Sequence, residues 1–389
     1  MANMNDLLKE AQKSKKDEFY TQMVDIEKEL KYYRNHFKGK IVFCNCDDPF
    51  ESNFFKYFVL NFNKLGLKKL IATSYASSPY VGQELSMFED QGKEYKINNK
   101  KAYKVVVSEI NINNKDGGET LEDIKEIIRH RIRYLKEDGD FRSEECIEML
   151  QEADIVVTNP PFSLFKEYFN QLMEYDKKFL IIASINVVTY KEIFPIIKNN
   201  KAWLGHSIHS GDREFRVPDE YPLKAAGFRI DEQGNKFIRV KGVRWITNLD
   251  YSQRHEDVIL YKKYVPEEYP TYDNYEAIDV SKVVNIPYDY DGVMGVPITF
   301  LDKYNPDQFE IVGLGNSKEN FTPKKTYVKA KKITRTGKIQ SGAALNNVLT
   351  LKVDNKPINT TYYISDNGEF LIAPYARLLI KRRRCNDEN

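Results

Sequence analysis

Residues 154–169 read DIVVTNPPFSLFKEYF, a strand-like apolar run that meets two consecutive prolines and passes straight into helical spacing. The residue before a proline is pushed out of the helical region, so Asn159 and Pro160 must both stay extended. Pro161 suits the first turn of the following helix, where no amide hydrogen is needed. The product is a stiff step at the carboxyl end of a strand, which is where open α/β folds put their ligands. Asn159 contributes a side-chain amide there, Pro160 a carbonyl and Phe162 a flat apolar face. The plain alternative is a rigid strand-to-helix turn. Against it, an Asn-Pro-Pro-aromatic string arises by chance in well under ~1% of chains of this length.

The neighbouring sequence supplies the rest of a sheet. Met23, Ile26, Leu30, Tyr33 and Phe37 recur at helical steps. KIVFCN (40–45) and KKLIATSY (68–75) are strand-like and flank a helix at 51–66. Downstream, KKFLIIAS (177–184) is a strand, YKEIFPIIKNN (190–200) a helix interrupted at Pro195, and KAWLGHSIH (201–209) and VRWITNLDY (243–251) two further strands. Unbroken apolar strands alternating with helices predict a doubly wound, mostly parallel α/β sheet. Residues 76–135 interrupt the rhythm and read as an insertion, with a strand at 102–110 and a helix at 120–137. After residue 260 the texture changes: residues 271–310 hold eight acids and two bases, and residues 321–340 hold seven bases and no acid. The expected division is therefore 1–260 and 261–389.

The bulk properties exclude several classes. The 389 residues suit two domains, and a net charge of +2 does not by itself announce a nucleic-acid binder. The N-terminus lacks the apolar core of a signal peptide, and no run approaches the ~18 apolar residues of a membrane span. A cytoplasmic protein with reduced thiols is expected. Cys44 and Cys46 form a C-x-C with no second pair, and His206 and His209 stand as a lone H-x-x-H, so no metal is expected.

The chemistry that suits Asn159 and Pro160 is methylation of an exocyclic amine. The N6 nitrogen of adenine is a poor nucleophile because its lone pair is delocalised into the ring. Two acceptors, the Asn159 side-chain oxygen and the Pro160 carbonyl, would bind its two hydrogens and favour a pyramidal nitrogen. This is catalysis by positioning and preorganised dipoles, with no shifted pKa required. A base inside a duplex must be flipped out to reach such a step, and stacking on Phe162 would return roughly 1–3 kcal/mol.

TNPPF resembles the [Asn/Asp/Ser]-Pro-Pro-[Tyr/Phe] motif of amino-methylating, S-adenosylmethionine-dependent DNA methyltransferases. DEFYTQ (17–22), VFCNCDDP (42–49) and GDFRS (139–143) are similar, in order and spacing, to the other motifs of that family. SKKDEFYTQ, FCNCDDP, SNFFKYF, LGLKKLIA, ADIVVTNPPFSLF, YDKKFLIIA and GVMGVPITFL resemble the EcoRI-type modification methyltransferases, over residues 14 to about 310. The resemblance implies a class I, Rossmann-like catalytic domain with the gamma order of motifs, followed by a β-rich (α+β) target-recognition region. It implies that Phe19, Tyr20 and Thr21 line the methionine end of S-adenosylmethionine, that Asn45, Cys46 and Asp47 form the first-strand loop, that Asp140 accepts from the cofactor's adenine amine and that Phe141 covers its ring. The usual glycine-rich first-strand loop is replaced by CNCDDP, and the acid expected after the second strand is missing from LIATSYAS.

Double-stranded DNA is then the expected partner of a monomeric enzyme, related in function to a cognate restriction endonuclease or working without one. Lys324, Lys325, Lys329, Lys331, Lys332, Arg335 and Lys338 are expected on its phosphates. Methylation of RNA or of a protein glutamine is the alternative chemistry, and a non-catalytic DNA-binding protein that kept the fold is the alternative class.

Overall fold

The computed structural model describes residues 19–46, 48–76, 101–110, 121–209, 211–217, 227–315 and 322–383. They group into two compact units: Met1–Val187 with Trp203–Tyr251, and Val188–Ala202 with Ser252–Asn389.

The first unit opens with β1 (Tyr20–Thr21), α1 (Met23–Leu30), β2 (Ile41–Cys44), α2 (Asn53–Leu60), α3 (Phe62–Leu65) and β3 (Lys69–Thr73). The helix expected at 51–66 is thus two helices, divided at Asn61 and closed by Gly66 in the left-handed conformation. The Ser52 hydroxyl caps α2 by accepting from the Phe55 amide. β4 (Tyr103–Val107), α4 (Leu121–Arg131), β5 (Ile132–Tyr134), α5 (Glu144–Glu152) and β6 (Ile155–Thr158) follow, then α6 (Phe165–Glu174) and β7 (Lys178–Ser184). The helix expected over 120–137 gives way at residue 132 to strand β5, which pairs with β4. β8 (Trp203–Leu204), β9 (Asp212–Val217), β10 (Arg229–Ile230), β11 (Lys236–Lys241) and β12 (Val243–Thr247) complete the unit.

Eight of these strands form one mixed sheet in the order β5-β4-β3-β2-β6-β7-β12-β8. Only its centre, β3-β2-β6-β7, is parallel. β4 and β5 on one flank, and β12 and β8 on the other, run antiparallel. The expectation of a mostly parallel sheet is corrected accordingly. The physical reason is that β12 is buried along its whole length, so its unbroken apolar pattern is the one a covered parallel strand would show.

From β2 the chain winds outward to β3 and later returns to β6 on the opposite side of β2. The carboxyl ends of β2 and β6 therefore flank a switch in winding direction, the position at which open α/β folds bind their ligands. The residues after both strands, Asn45 and Asn159, emerge there. Phe54, Phe55 and Phe58 of α2 are fully buried in the core beneath. A second, antiparallel sheet, β1-β9-β11-β10, ties the N-terminal segment to residues 212–241.

The second unit begins with α7 (Phe194–Lys198), where Pro195 sits in the first turn and does not interrupt the helix. Among the described residues, its remaining regular structure is strand and 3-10 turn. β13 (Ile278–Asp279), β14 (Met294–Pro297), β15 (Phe309–Leu314), β16 (Lys331–Ile333), β17 (Ile339–Ser341), β18 (Leu351–Val353), β19 (Tyr362–Ile364), β20 (Phe370–Ile372) and β21 (Arg377–Arg382) form two sheets, in the orders β13-β14-β21-β15 and β17-β16-β19-β20-β18. Among the described residues, no helix is long and apolar enough to cross a membrane.

Candidate active site at the ends of β2 and β6

Asn159 follows β6 directly and is almost fully buried. Its amide nitrogen donates to the Phe19 carbonyl at 2.5 Å. That bond fixes which way the carboxamide faces. The other end, Oδ1, is buried and accepts no hydrogen bond among the described residues. A buried acceptor left unmade costs about 1–3 kcal/mol, so such an atom asks for a functional explanation. Pro160 is also buried. Pro161 takes φ −55° and ψ 122° and precedes a 3-10 turn, Phe162–Leu164, whose last amide donates to the Pro161 carbonyl. Pro161, expected in the first turn of the following helix, is an extended residue just ahead of it. Because its carbonyl closes the tighter turn, the α-helical ladder starts only at Phe165.

Three aromatic rings surround this loop. The half-buried Phe162 lies 5.4 Å from Phe19 and 6.2 Å from Phe215, and Phe19 lies 6.2 Å from Phe215. Phe19, Tyr20 and Thr21 are all buried. β1 is held by pairing with β9, Tyr20 opposite Arg216 and Thr21 opposite Phe215, and by Asn53, whose side chain donates to the Thr21 carbonyl at 2.8 Å. The Thr21 hydroxyl is buried with no hydrogen-bond partner among the described residues.

The first-strand loop lies beside the Asn159 loop. Asn45 is buried. The Thr158 hydroxyl donates to its carbonyl and the Tyr168 hydroxyl to its Oδ1. Burial pushes the Tyr168 hydroxyl well above its ordinary pKa and keeps it a donor. Cys46 has φ +71°, a left-handed position where glycine is the usual residue. The turn is therefore made with a side chain in place at a conformation that favours glycine. Asp47 lies outside the described residues. Asp48 is buried, and its Oδ1 accepts from the Phe50 amide and the Tyr103 hydroxyl at 3.0 and 2.7 Å.

Phe141 reaches the neighbourhood of the first-strand loop through Tyr168, and Asp140 precedes it on the same turn. Gly139 has φ +77°, and a Cβ there would lie 2.2 Å from the Ser74 carbonyl oxygen, so only glycine lets this turn meet the end of β3. The Asp140 carboxylate is clasped by the Arg142 guanidinium through two bonds of 2.8 Å, and Arg142 also reaches Glu167 at 2.9 Å. The bond to Asp140 raises the Arg142 pKa further above its ordinary value. Phe141 packs edge-on against Tyr168 at 5.1 Å.

The structure thus brings Phe19, Asn159 and Phe162 together, and likewise Asn45 and Phe141 around Tyr168. Sequence reading missed Phe215, Thr158 and Tyr168. Each reads in the sequence as an ordinary core position, and each acquires its role through a partner remote in the chain.

The seven bases of 321–340 fall in the second unit and divide by environment. Lys325 is half-buried and pairs with Asp273 at 2.7 Å. Lys324 lies 3.9 Å from Glu276. Lys329, Lys331, Lys332, Arg335 and Lys338 form no ion pair among the described residues. Four of them belong to the hairpin β16–β17, whose turn is closed by the Thr334 amide donating to the Lys338 carbonyl and by Gly337 at φ +82°.

The family model of the adenine-specific methyltransferase EcoRI matches residues 7–383. The chain is 51% identical to the Type II methyltransferase M.EcoRI of Escherichia coli over 310 residues, 79% of this chain and 89% of the relative. It is 38% identical to the Type II methyltransferase M.MpnI of Mycoplasma pneumoniae, covering 78% of this chain and 83% of the relative. No solved structure matches it. An Asn-Pro-Pro-Phe loop with a fixed carboxamide, set in a sequence matched along nearly its whole length, places this chain in the EcoRI family of adenine-specific methyltransferases.

Proposed function

We propose that the chain transfers a methyl group from S-adenosylmethionine to N6 of an adenine flipped out of duplex DNA, as the modification enzyme of a restriction system or as a solitary methylase. The observation that carries this is the Asn159 carboxamide, pinned at its nitrogen by the Phe19 carbonyl with its oxygen buried and unpartnered. An amine donor arriving from a base gives that oxygen its hydrogen bond, and the Pro160 carbonyl takes the second amine hydrogen. The two acceptors draw the nitrogen lone pair out of conjugation and aim it. Phe162, with Phe19 and Phe215 behind it, offers the base an apolar face. After transfer the nitrogen carries an extra proton, which passes to solvent.

The chain's residues fit the cofactor. The unpartnered Thr21 hydroxyl and the Phe19 ring suit its methionine end, the Asn45–Cys46 loop approaches it from the first strand, and Asp140 with Phe141 suits its adenine. When bound, S-adenosylmethionine supplies an electrophilic methyl group on a sulfonium. In this reading the fold around β2 and β6 is the class I, Rossmann-like methyltransferase arrangement. Residues 1–260 are the catalytic domain, with 76–135 inserted, and residues 261–389 are the target-recognition region. The exposed bases of the β16–β17 hairpin hold phosphates. The enzyme works in the cytoplasm as a monomer, and where it belongs to a restriction system its link to the cognate nuclease is through function alone.

The test is methylation-sensitive sequencing of DNA from a host expressing the wild-type chain or Asn159→Ala. Modified adenines at one short sequence, present only with the wild type, are expected. Unmodified DNA alongside methylated RNA or protein would overturn the reading.

A further inference from the structure

Residues on either side of the catalytic loop reach the same neighbour. Thr158, immediately before Asn159, donates its hydroxyl to the Asn45 carbonyl. Tyr168, one turn into α6, donates its hydroxyl to the Asn45 side-chain oxygen. All three residues are buried, Tyr168 and Thr158 completely. The same face of α6 also holds the 140–142 turn. The Tyr168 ring packs on Phe141, Gln171, one position further along that face, donates to the Phe141 carbonyl at 3.1 Å, and Glu167 pairs with Arg142. One helix, leaving the catalytic loop, thus grips the two segments assigned above to the cofactor.

From this geometry we infer that Tyr168 is a positioning residue: with Thr158 it clamps the first-strand loop at Asn45 to the catalytic loop, so that cofactor seat and base seat move as one body. The inference rests on the functional reading above and deepens it. The clamp also accounts for the loop's backbone. A non-glycine residue at φ +71° is disfavoured and persists where its surroundings over-determine it. Asn45, held at both its carbonyl and its side chain, is the residue just before Cys46. A glycine-rich loop can be shaped by its ligand, whereas this one is shaped beforehand by hydroxyl donors from β6 and α6.

Tyr168→Phe removes one hydroxyl and keeps the ring against Phe141. It leaves the Asn45 side-chain oxygen buried without its donor, and the loop shifts to find another. Calorimetric titration of the full-length chain with S-adenosylmethionine should show the dissociation constant rising at least about fivefold in Tyr168→Phe. Asn45→Ala should raise it as well, and adding Tyr168→Phe to Asn45→Ala should change it by less than about twofold, because the acceptor is already gone. Thermal melting of the same four proteins without cofactor should show the same non-additivity. A wild-type dissociation constant in Tyr168→Phe would overturn the proposal and leave a hydroxyl of structural value only. Additive effects in the cycle would overturn it too, since Tyr168 would then act elsewhere than on Asn45. A wild-type chain that takes up no cofactor would overturn the functional reading, and this inference with it.

Discussion

The loop at Asn159 and the hairpin at Lys331 present polar groups in opposite ways, and in the proposed function they handle one charged, polar substrate by opposite means. At Asn159 the carboxamide and the following Pro160 are buried, a single hydrogen bond fixes the amide nitrogen, and that bond involves no ionised side chain. In the β16–β17 hairpin the polar groups are long cations, Lys331, Arg335 and Lys338 exposed and Lys332 partly buried, with no ion pair among the described residues. The first arrangement gains its effect from geometry set before the substrate arrives. The second gains it from counterion release, which needs charge density and tolerates loose placement. A small change should therefore be ruinous in one and graded in the other.

The sharpest way to break this contrast is Asn159→Ala. Methyl transfer should fall at least about a thousandfold, as expected for loss of a preorganised polar group. Cofactor affinity should stay within about twofold, because the carboxamide faces the base. Steady-state transfer rates and calorimetry on the same preparation check both. Near-normal turnover would remove the geometric half of the comparison.

The hairpin should answer in another currency. Neutralising Lys331, Lys332 and Arg335 together should weaken duplex binding on the order of a hundredfold near physiological salt and flatten the log–log salt slope by roughly two to three units. The methylated sequence should not change, since phosphate contacts carry no base information. Binding isotherms between low and moderate salt read the slope, and an unaltered slope would put the hairpin in solvent.

Asp140→Ala tests the intermediate case, a charged group held in fixed geometry by Arg142. The cofactor dissociation constant should rise about tenfold, in line with a charge-assisted bond of ~1.5–3 kcal/mol. Loss of DNA affinity alone would reassign the motif.

The smallest effect is expected at Lys325. Its ion pair with Asp273 makes it a structural cation, so Lys325→Met should cost about 1 kcal/mol of stability and leave the salt slope unchanged. Burial by itself would raise the Asp273 pKa, but bonds from Lys325 and Tyr327 outweigh it and hold the carboxyl below its ordinary value. The stabilisation from this group is therefore complete above the unfolded carboxylate pKa of about 3.9 and is lost as pH falls through the lower folded value. Acid denaturation of wild type and variant should converge at that end of the titration.

These particulars also show what a linear sequence can reveal. The catalytic loop was legible because prolines restrict their own backbone and that of the residue before them, a constraint needing no partner. Even there, Pro161 was assigned to a helix that begins later, because whether a turn closes as 3-10 or α depends on what its rings pack against. The central strands were legible from apolar runs, but their direction was not: β12 has the composition of its parallel neighbours and runs the other way. Among the lysines, a run of like charge suggested one surface. Lys325 leaves that surface because of an acid 52 residues earlier. Phe215 and Tyr168 have no local signature at all, since each is an aromatic at a buried position until its neighbours are known.

The pairing of β1 with β9 has a consequence in time. Phe19, whose carbonyl orients Asn159, is held in place by a strand made roughly two hundred residues later, so at ~5–20 residues per second a ribosome needs about 10–40 s to supply it. Until then the growing chain can build its parallel strands and bury their faces, yet Asn159 lacks the partner that aims it. Catalytic competence is thus a late event in the life of each molecule, withheld until most of the first unit has been synthesised.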